Sequence, residues 1–226
     1  MVTLLIGDPD LKFAKSIISN IVKNNERMRL IDITTTEEET IKAIKEYTPH
    51  IAIINTDMVN MDLFKKIEHK PSIVPFTEND MKSAIKKYYL KNTNIKLIEK
   101  RVNELIREND YAQTKEKVVN IFSKLKFNFS RSGTTYLMES ILYSYEHKNS
   151  FIYENLEKYV YPEVAKKYNT SAVNVKWVIV KAINEMYNRN CTDNTLNTVA
   201  DFFYFTNKVK PTAKVVLTTV LAKLDC

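Results

Sequence analysis

The feature that most constrains the fold is an alternation of short apolar runs with helical patterns along residues 1–108. Such alternation is typical of a parallel sheet covered by helices. The apolar runs predict five strands: Val2–Ile6, Met28–Ile33, Ile51–Asn55, Ile73–Phe76 and Lys87–Leu90. The helical patterns predict five helices: Leu11–Lys23, Glu37–Tyr47, Asp62–Glu68, Asp80–Ile85 and Ile95–Arg107. These units predict an α/β flavodoxin-like domain, doubly wound around a five-stranded parallel sheet, with its site at the carboxyl ends of the strands.

A second pattern, over residues 161–188, predicts a helix-turn-helix. Pro162 suits a first helical turn, because its missing N–H would be unpaired there, and Asn169 to Ser171 offer turn and N-cap chemistry. One stripe of the following helix is apolar and predicts the buried side: Ala172, Val175, Ile179, Ala182, Ile183 and Met186. The opposite face comprises Thr170, Asn174, Trp177, Lys181, Asn184 and Asn188. This face is typical of a DNA-reading helix, although an ordinary helical hairpin has the same spacing.

Length and composition favour two globular domains and exclude several classes of protein. The 226 residues are 44% hydrophobic, and the net charge of +7 divides into +2 for residues 1–108 and +5 for residues 109–226. Two distant cysteines and three scattered histidines predict neither a disulfide framework nor a metal site. No membrane-length apolar run, signal peptide, Gly-rich phosphate loop or catalytic constellation is present. We therefore expect a cytoplasmic protein that is not an enzyme and has no cofactor, membrane partner or small-molecule substrate.

Three segments of the second half resemble the effector domain of the sporulation initiation response regulator of endospore-forming bacteria. These segments are Ser130–Leu142, Tyr161–Ala172 and Lys208–Thr212, in the family's order. The resemblance implies an all-α DNA-binding domain with a helix-turn-helix, preceded by a receiver domain. We accordingly predict a pseudo-receiver over residues 1–108, a polar linker over 109–117 and a helical effector over 118–226.

The predicted strand ends resemble those of response-regulator receiver domains, with substitutions that remove their chemistry. Asp8 stands where receivers usually have two acids for magnesium, Lys91 matches their conserved lysine, and Asn55 replaces the phosphoacceptor aspartate. An amide is a very poor nucleophile for phosphoryl transfer, so the resemblance implies a degenerate phosphorylation site. Asp57 lies beyond the point where Asp8 and Lys91 are expected to meet. The switch position falls on Phe76 or Thr77, and the sequence leaves this register open.

The same resemblance directs attention to eight candidate DNA-binding residues. They are Thr170, Ser171, Asn174, Lys176, Trp177, Lys181, Lys208 and Lys210. No arginine occurs between Arg131 and Arg189, so the helix lacks the side chain most often used to read guanine. Asn174 can pair with adenine, Val173 or Trp177 can touch thymine methyl groups, and Lys181 can hold a phosphate. Trp177 has two alternatives, a protein interface or partial burial in the core.

The sequence thus predicts a phosphorylation-independent transcriptional regulator that binds double-stranded DNA. The expected protein partner is a second copy or a related response regulator. The alternative is a non-enzymatic interaction protein that pairs with a true sporulation regulator and modulates it. The helix caps and basic charge favour the first function, and the missing recognition arginines favour the second.

Overall fold

The computed structural model describes residues 1–79, 88–91, 95–150, 152–204 and 209–224. The chain divides into two compact units, Met1–Asp110 and Tyr111–Cys226. The predicted helix Asp80–Ile85 lies outside the described residues. Within the described ranges, no helix has both the length and the hydropathy needed to cross a membrane.

The first unit contains a five-stranded sheet in which every pair of neighbouring strands is parallel. The strands are β1 (Val2–Gly7), β2 (Met28–Thr34), β3 (Ile51–Asn55), β4 (Ser72–Thr77) and β5 (Tyr89–Leu90). Their order is β2-β1-β3-β4-β5, the order of the flavodoxin-like fold. The predicted fold class is therefore confirmed. β3 is buried along its whole length, as expected for a central strand with helices on both faces.

The helices of this unit follow the predicted patterns with local differences. They are α1 (Leu11–Ile17, continued as a π-helix over Ile18–Val22), α2 (Glu37–Tyr47) and the first part of α3 (Ile95–Lys124). Asp10 caps α1 by accepting bonds from the N–H groups of Lys12 and Phe13. The prediction of a helix over Asp62–Glu68 was wrong in type and limits, because a 3₁₀-helix occupies Met61–Lys66. Strand β5 is also shorter than predicted within the described residues.

Residues 109–117, for which we predicted a linker, are helical throughout and form part of α3. The second unit continues with α4 (Ser132–Glu146), α5 (Tyr161–Lys167), α6 (Ala172–Thr192), α7 (Leu196–Phe202) and α8 (Ala213–Leu224). Short turns of 3₁₀- or π-helix occupy Lys148–Ser150, Ile152–Glu154 and Leu156–Val160. The core of this unit is a single apolar cluster that includes Phe122, Leu137, Ile141, Val175, Ile179 and Val220.

Candidate nucleic-acid interface and receiver site

The turn between α5 and α6 closes the predicted helix-turn-helix. Asn169 has φ 50, in the left-handed region, and its N–H donates to the Lys166 carbonyl at 3.3 Å. The Thr170 N–H donates to the Ala165 carbonyl at 3.0 Å, which completes a Schellman motif. Asparagine tolerates this conformation better than most residues other than glycine. The turn thus ends α5 sharply and sets the direction in which α6 begins.

Ser171 is the N-cap of α6. Its Oγ accepts a hydrogen bond from the Asn174 N–H at 3.1 Å, which satisfies one of the free N–H groups at the helix start. The Asn174 side chain adds a second local contact, because its Nδ2 donates to Thr170 Oγ1 at 2.9 Å. One of the two amide hydrogens of Asn174 is therefore bonded within the protein. The residue spacing in the sequence did not predict this bond.

The two long faces of α6 have opposite environments. Val175, Ile179, Ala182, Ile183 and Met186 are buried, and Ala172 packs against the same core, so the predicted apolar stripe is confirmed. On the outer face Val173 is 78% exposed, Trp177 63% and Val180 43%. The alternative in which Trp177 joins the core is therefore wrong. Lys181 Nζ lies 5.4 Å from the centroid of the Trp177 ring, a cation–π distance.

The other predicted basic contacts have different surroundings. Lys176 Nζ pairs with Glu157 Oε1 at 2.7 Å, and both side chains are largely exposed. Lys210 is exposed just before α8, whereas Lys208 lies outside the described residues. Lys176 and Lys181 thus lie on α6 itself, and Lys210 belongs to a separate segment of the same unit.

The position of α6 depends on residues that the sequence patterns did not identify as important. Gly133, near the start of α4, lies against the backbone of α6: a Cβ there would collide with the Val178 carbonyl and lie 2.9 Å from Ala182 Cβ. At the other end of α6, Asn190 Nδ2 donates to the Leu125 carbonyl at 2.9 Å. Gly133 is one of only two glycines in the chain, which is the one signal that could have singled it out.

Glu139, on α4, is the centre of a polar cluster that contacts the first helix of the helix-turn-helix, α5. Its nearly buried carboxylate pairs with Lys167 Nζ at 2.6 Å and accepts hydrogen bonds from the hydroxyls of Tyr111 and Tyr168. Burial and then the Glu139 charge raise the pKa of both tyrosines. Burial lowers the pKa of Lys167, but its bonds to Glu139 and Tyr111 outweigh this and raise it. The cluster connects α3, α4 and α5 and so fixes the first helix of the pair.

In the first unit, the carboxyl ends of the strands bring Asp8, Asn55 and Lys91 together. Lys91 Nζ lies 3.2 Å from Asp8 Oδ1 and 3.1 Å from Oδ2, and both side chains are buried. Asn55 Nδ2 donates to Asp8 Oδ1 at 3.2 Å. Lys91 also pairs with Glu78 at 2.8 Å and Asp10 at 3.4 Å. Burial lowers the pKa of Lys91, but the bonds to Glu78 and Asp8 outweigh this and raise it, so the ammonium group stays charged.

Asp57 and Thr77 form the outer part of this site. The Thr77 hydroxyl donates to Asp57 Oδ2 at 2.7 Å, and the Glu78 N–H donates to the same oxygen at 2.8 Å. The side-chain Oδ1 of Asn55 in turn accepts a hydrogen bond from the Asp57 N–H at 2.9 Å. Phe76 is fully buried and belongs to the sheet core. The structure therefore resolves the register left open by the sequence and places Thr77, not Phe76, at the switch position.

The receiver resemblance implies a magnesium ion at this edge, but the residues present do not fit one. The Asp8 carboxylate faces the Lys91 ammonium and the Asn55 amide, which both bring hydrogens rather than oxygen ligands. Within the described ranges, no three His, Cys, Asp or Glu side chains are arranged to hold a metal ion.

Two solved structures of response regulators are similar to this chain at low sequence identity. The signal receiver domain of the putative response regulator NarL from Mycobacterium tuberculosis is 15% identical, with a TM-score of 0.39, over 46% of this chain and 94% of that one. RcsB from Salmonella enterica serovar Typhimurium, bound to promoter P1flhDC in the presence of phosphomimetic BeF3-, is 15% identical with a TM-score of 0.42. That match covers 82% of this chain and 92% of the RcsB chain.

A receiver-type α/β unit followed by a helical unit with a helix-turn-helix defines a DNA-binding response regulator. Residues 118–224 match the family model described as "Sporulation initiation factor Spo0A C terminal". Residues 118–224 of the helical unit therefore correspond to that domain, as the motifs of the second half predicted.

Proposed function

We propose that this protein regulates transcription in the cytoplasm by placing α6 in the major groove of double-stranded DNA, without aspartate phosphorylation. The observation that carries the proposal is the geometry of α6. This helix is capped by Ser171, buried along one face and exposed along the other, with Trp177 and Lys181 on the exposed face. Recognition helices of helix-turn-helix proteins use such a face, and their N-terminal residues contact base edges.

The eight candidate residues take different roles in this proposal. Thr170, Ser171, Asn174 and Trp177 lie on or beside the first turns of α6, where base edges and the nearest phosphate are expected. Lys176, Lys181, Lys208 and Lys210 supply positive charge for phosphates. Lys176 would exchange its partner Glu157 for a phosphate, so we expect its net contribution to be smaller than that of Lys181. In this proposal, residues 118–226 form the DNA-binding part of the protein.

Independence from phosphorylation is supported by the residues at the strand ends. Asn55 provides an amide where receivers have the acceptor carboxylate, and Lys91 already has Asp8, Asp10 and Glu78 as counter-ions. Asp57, the nearest alternative acceptor, accepts hydrogen bonds from Thr77 and the Glu78 N–H. The protein's own side chains thus supply the partners of Lys91 and Asp57 at this site. We therefore propose that the effector binds DNA without phosphorylation of the receiver. It would bind as a homodimer or together with a related response regulator.

The salt dependence of DNA binding by the full chain tests this proposal. Each phosphate contact that a lysine makes adds about one unit to the slope of log K against log salt. Lys181→Ala should weaken binding to all sequences similarly and reduce the slope by about one unit. Lys42→Ala, an exposed lysine on α2 of the first unit, is the matched control and should leave the slope unchanged.

A second candidate function is favoured by the exposure of Val173 and Trp177, since apolar surface also suits protein contact. In that case the protein would pair with a true sporulation regulator through α6 and modulate it. Absence of binding to any genomic DNA at low salt, together with binding to such a regulator, would establish this alternative.

A further inference from the structure

The outer face of α6 carries a continuous apolar strip formed by Val173, Trp177 and Val180. These residues are spaced i, i+4 and i+7, so they follow one another along a single line of the helix surface. All three are among the exposed large hydrophobic residues of the described chain. Single exposed apolar residues are common on protein surfaces. A line of three on a helix proposed to enter DNA indicates that the helix binds an apolar group.

The major groove offers one apolar group on its base edges, the C5-methyl group of thymine. At 1.5 Å per residue, the rise from Val173 to Val180 is about 10.5 Å, which matches about three base-pair steps of 3.4 Å. We propose that the strip reads a short run of thymines through their methyl groups and so determines the DNA sequence preference. This inference rests on the proposed function and specifies its ligand.

The polar groups near the strip leave little capacity for reading bases by hydrogen bonds. From Thr170 to Lys181 the chain has no arginine, glutamine, aspartate or glutamate, and the only side-chain amide is that of Asn174. That amide already donates to Thr170 Oγ1. Methyl contact is therefore one interaction through which this face can discriminate between bases.

The charges on either side of the strip favour DNA over a second copy of the chain. Lys181 lies beside Trp177 on one flank, and Lys176, which would exchange Glu157 for a phosphate, lies on the other flank. The two phosphate backbones that border a major groove would face these ammonium groups. A two-fold contact between identical strips would instead bring lysines of both copies together and place like charges side by side.

Replacing thymine by deoxyuridine tests this proposal, because uracil lacks only the C5-methyl group. The probes are two short duplexes with four successive thymines or four deoxyuridines in otherwise identical sequence. Binding to the full-length chain is measured by fluorescence anisotropy at low salt. We expect affinity to fall about fourfold for each methyl group that makes contact. Replacing cytosine by 5-methylcytosine in a thymine-free duplex should raise affinity in the same way.

Variants assign the effect to the strip. Val173→Ala and Trp177→Ala should bring the thymine-to-uracil affinity ratio towards one, and Lys181→Ala should weaken binding to both duplexes while preserving the ratio. These side chains are exposed, so their loss should leave the fold intact.

Four results would overturn the proposal. Equal binding of the two duplexes would refute thymine reading while leaving DNA binding established, whereas no binding to either would refute the proposed function as well. A thymine preference that persisted in both strip variants would arise from DNA shape. A change in sedimentation of Trp177→Ala without DNA would assign the strip to a protein interface.

Discussion

Asn55 ends β3 beside Asp8, and the hydrogen bond between them depends on an amide at this position. An aspartate there would lose the donated hydrogen bond and place a second carboxylate next to that of Asp8. Two close carboxylates disfavour each other's ionised forms, and Lys91, which already pairs with Asp8, would have to neutralise both. The substitution Asn55→Asp would therefore supply the acceptor carboxylate of receivers, but not the second acid that they have beside Asp8.

We predict that Asn55→Asp destabilises the first unit by about 1–3 kcal/mol at neutral pH, the usual cost of leaving a buried polar group without its partner. Millimolar magnesium should recover part of this loss, because the carboxylates of Asp8 and of the introduced aspartate would then face the same point. Thermal unfolding of the full chain with and without magnesium measures both effects. Asn55→Ala is the control, since it removes the hydrogen bond without adding charge and should not respond to magnesium. Equal melting of Asn55→Asp and the parent protein would contradict this account.

Among the helices, the contact between α4 and α6 depends on the absence of a side chain at Gly133. Glycine to alanine in a helix ordinarily stabilises by about 1 kcal/mol. Here the added methyl would meet the Val178 carbonyl, so we predict that Gly133→Ala instead destabilises the helical unit by about 1–3 kcal/mol. Urea unfolding followed by circular dichroism measures the change. Ser132→Ala, at the exposed neighbouring position, should have a small effect, and a stabilised Gly133→Ala would show that α4 and α6 are not in close contact.

Tyr161, at the start of α5, links the stability of the helical unit to alkaline pH. Burial, and secondly the Glu157 charge, raise its pKa from 10.0 to about 12. Between these values the unfolded chain releases the proton while the folded chain retains it, so stability is complete below pH 10 and falls as pH rises towards 12. The full shift corresponds to about 2–3 kcal/mol.

We predict that Tyr161→Phe removes this part of the alkaline loss of stability. Urea unfolding of both proteins at about pH 9 and about pH 11.5 gives the comparison, since the other tyrosines and the lysines titrate alike in the two proteins. An identical loss in the phenylalanine variant would mean that the Tyr161 hydroxyl is not buried as described.

Local patterns predicted the elements well where one periodicity dominates, as in α2 and β3, whose limits match the prediction. They failed where a tertiary contact determines the outcome. Residues 109–117 have no clear apolar stripe, yet they are helical as part of α3, where Tyr111 bonds to Glu139 of α4. The importance of Gly133 depends on Val178, which is distant in sequence, and the Asn174–Thr170 bond depends on the shape of the turn. The sequence thus predicts which face of α6 is exposed, but not which of its polar groups are free to bind.

For the whole molecule, each unit has its own apolar core, and the two differ in what they retain of a response regulator. The first keeps the parallel sheet, Asp8 and Lys91, but has Asn55 in place of the acceptor. The second has the capped helix α6 with an exposed outer face, which is the helix that we propose enters the major groove. A regulator of this design is expected to bind DNA to the same extent whether or not a phosphodonor is present.

The most direct test of this central claim is the affinity of the full-length chain for DNA before and after incubation with acetyl phosphate and magnesium. Anisotropy with a labelled duplex gives the affinity, and the intact mass of the same sample reports any phosphoryl adduct. We predict salt-sensitive binding that is unchanged within about twofold by the treatment, with no gain in mass. A phosphoryl adduct on Asp57 or Asp8 accompanied by a large rise in DNA affinity would contradict the account.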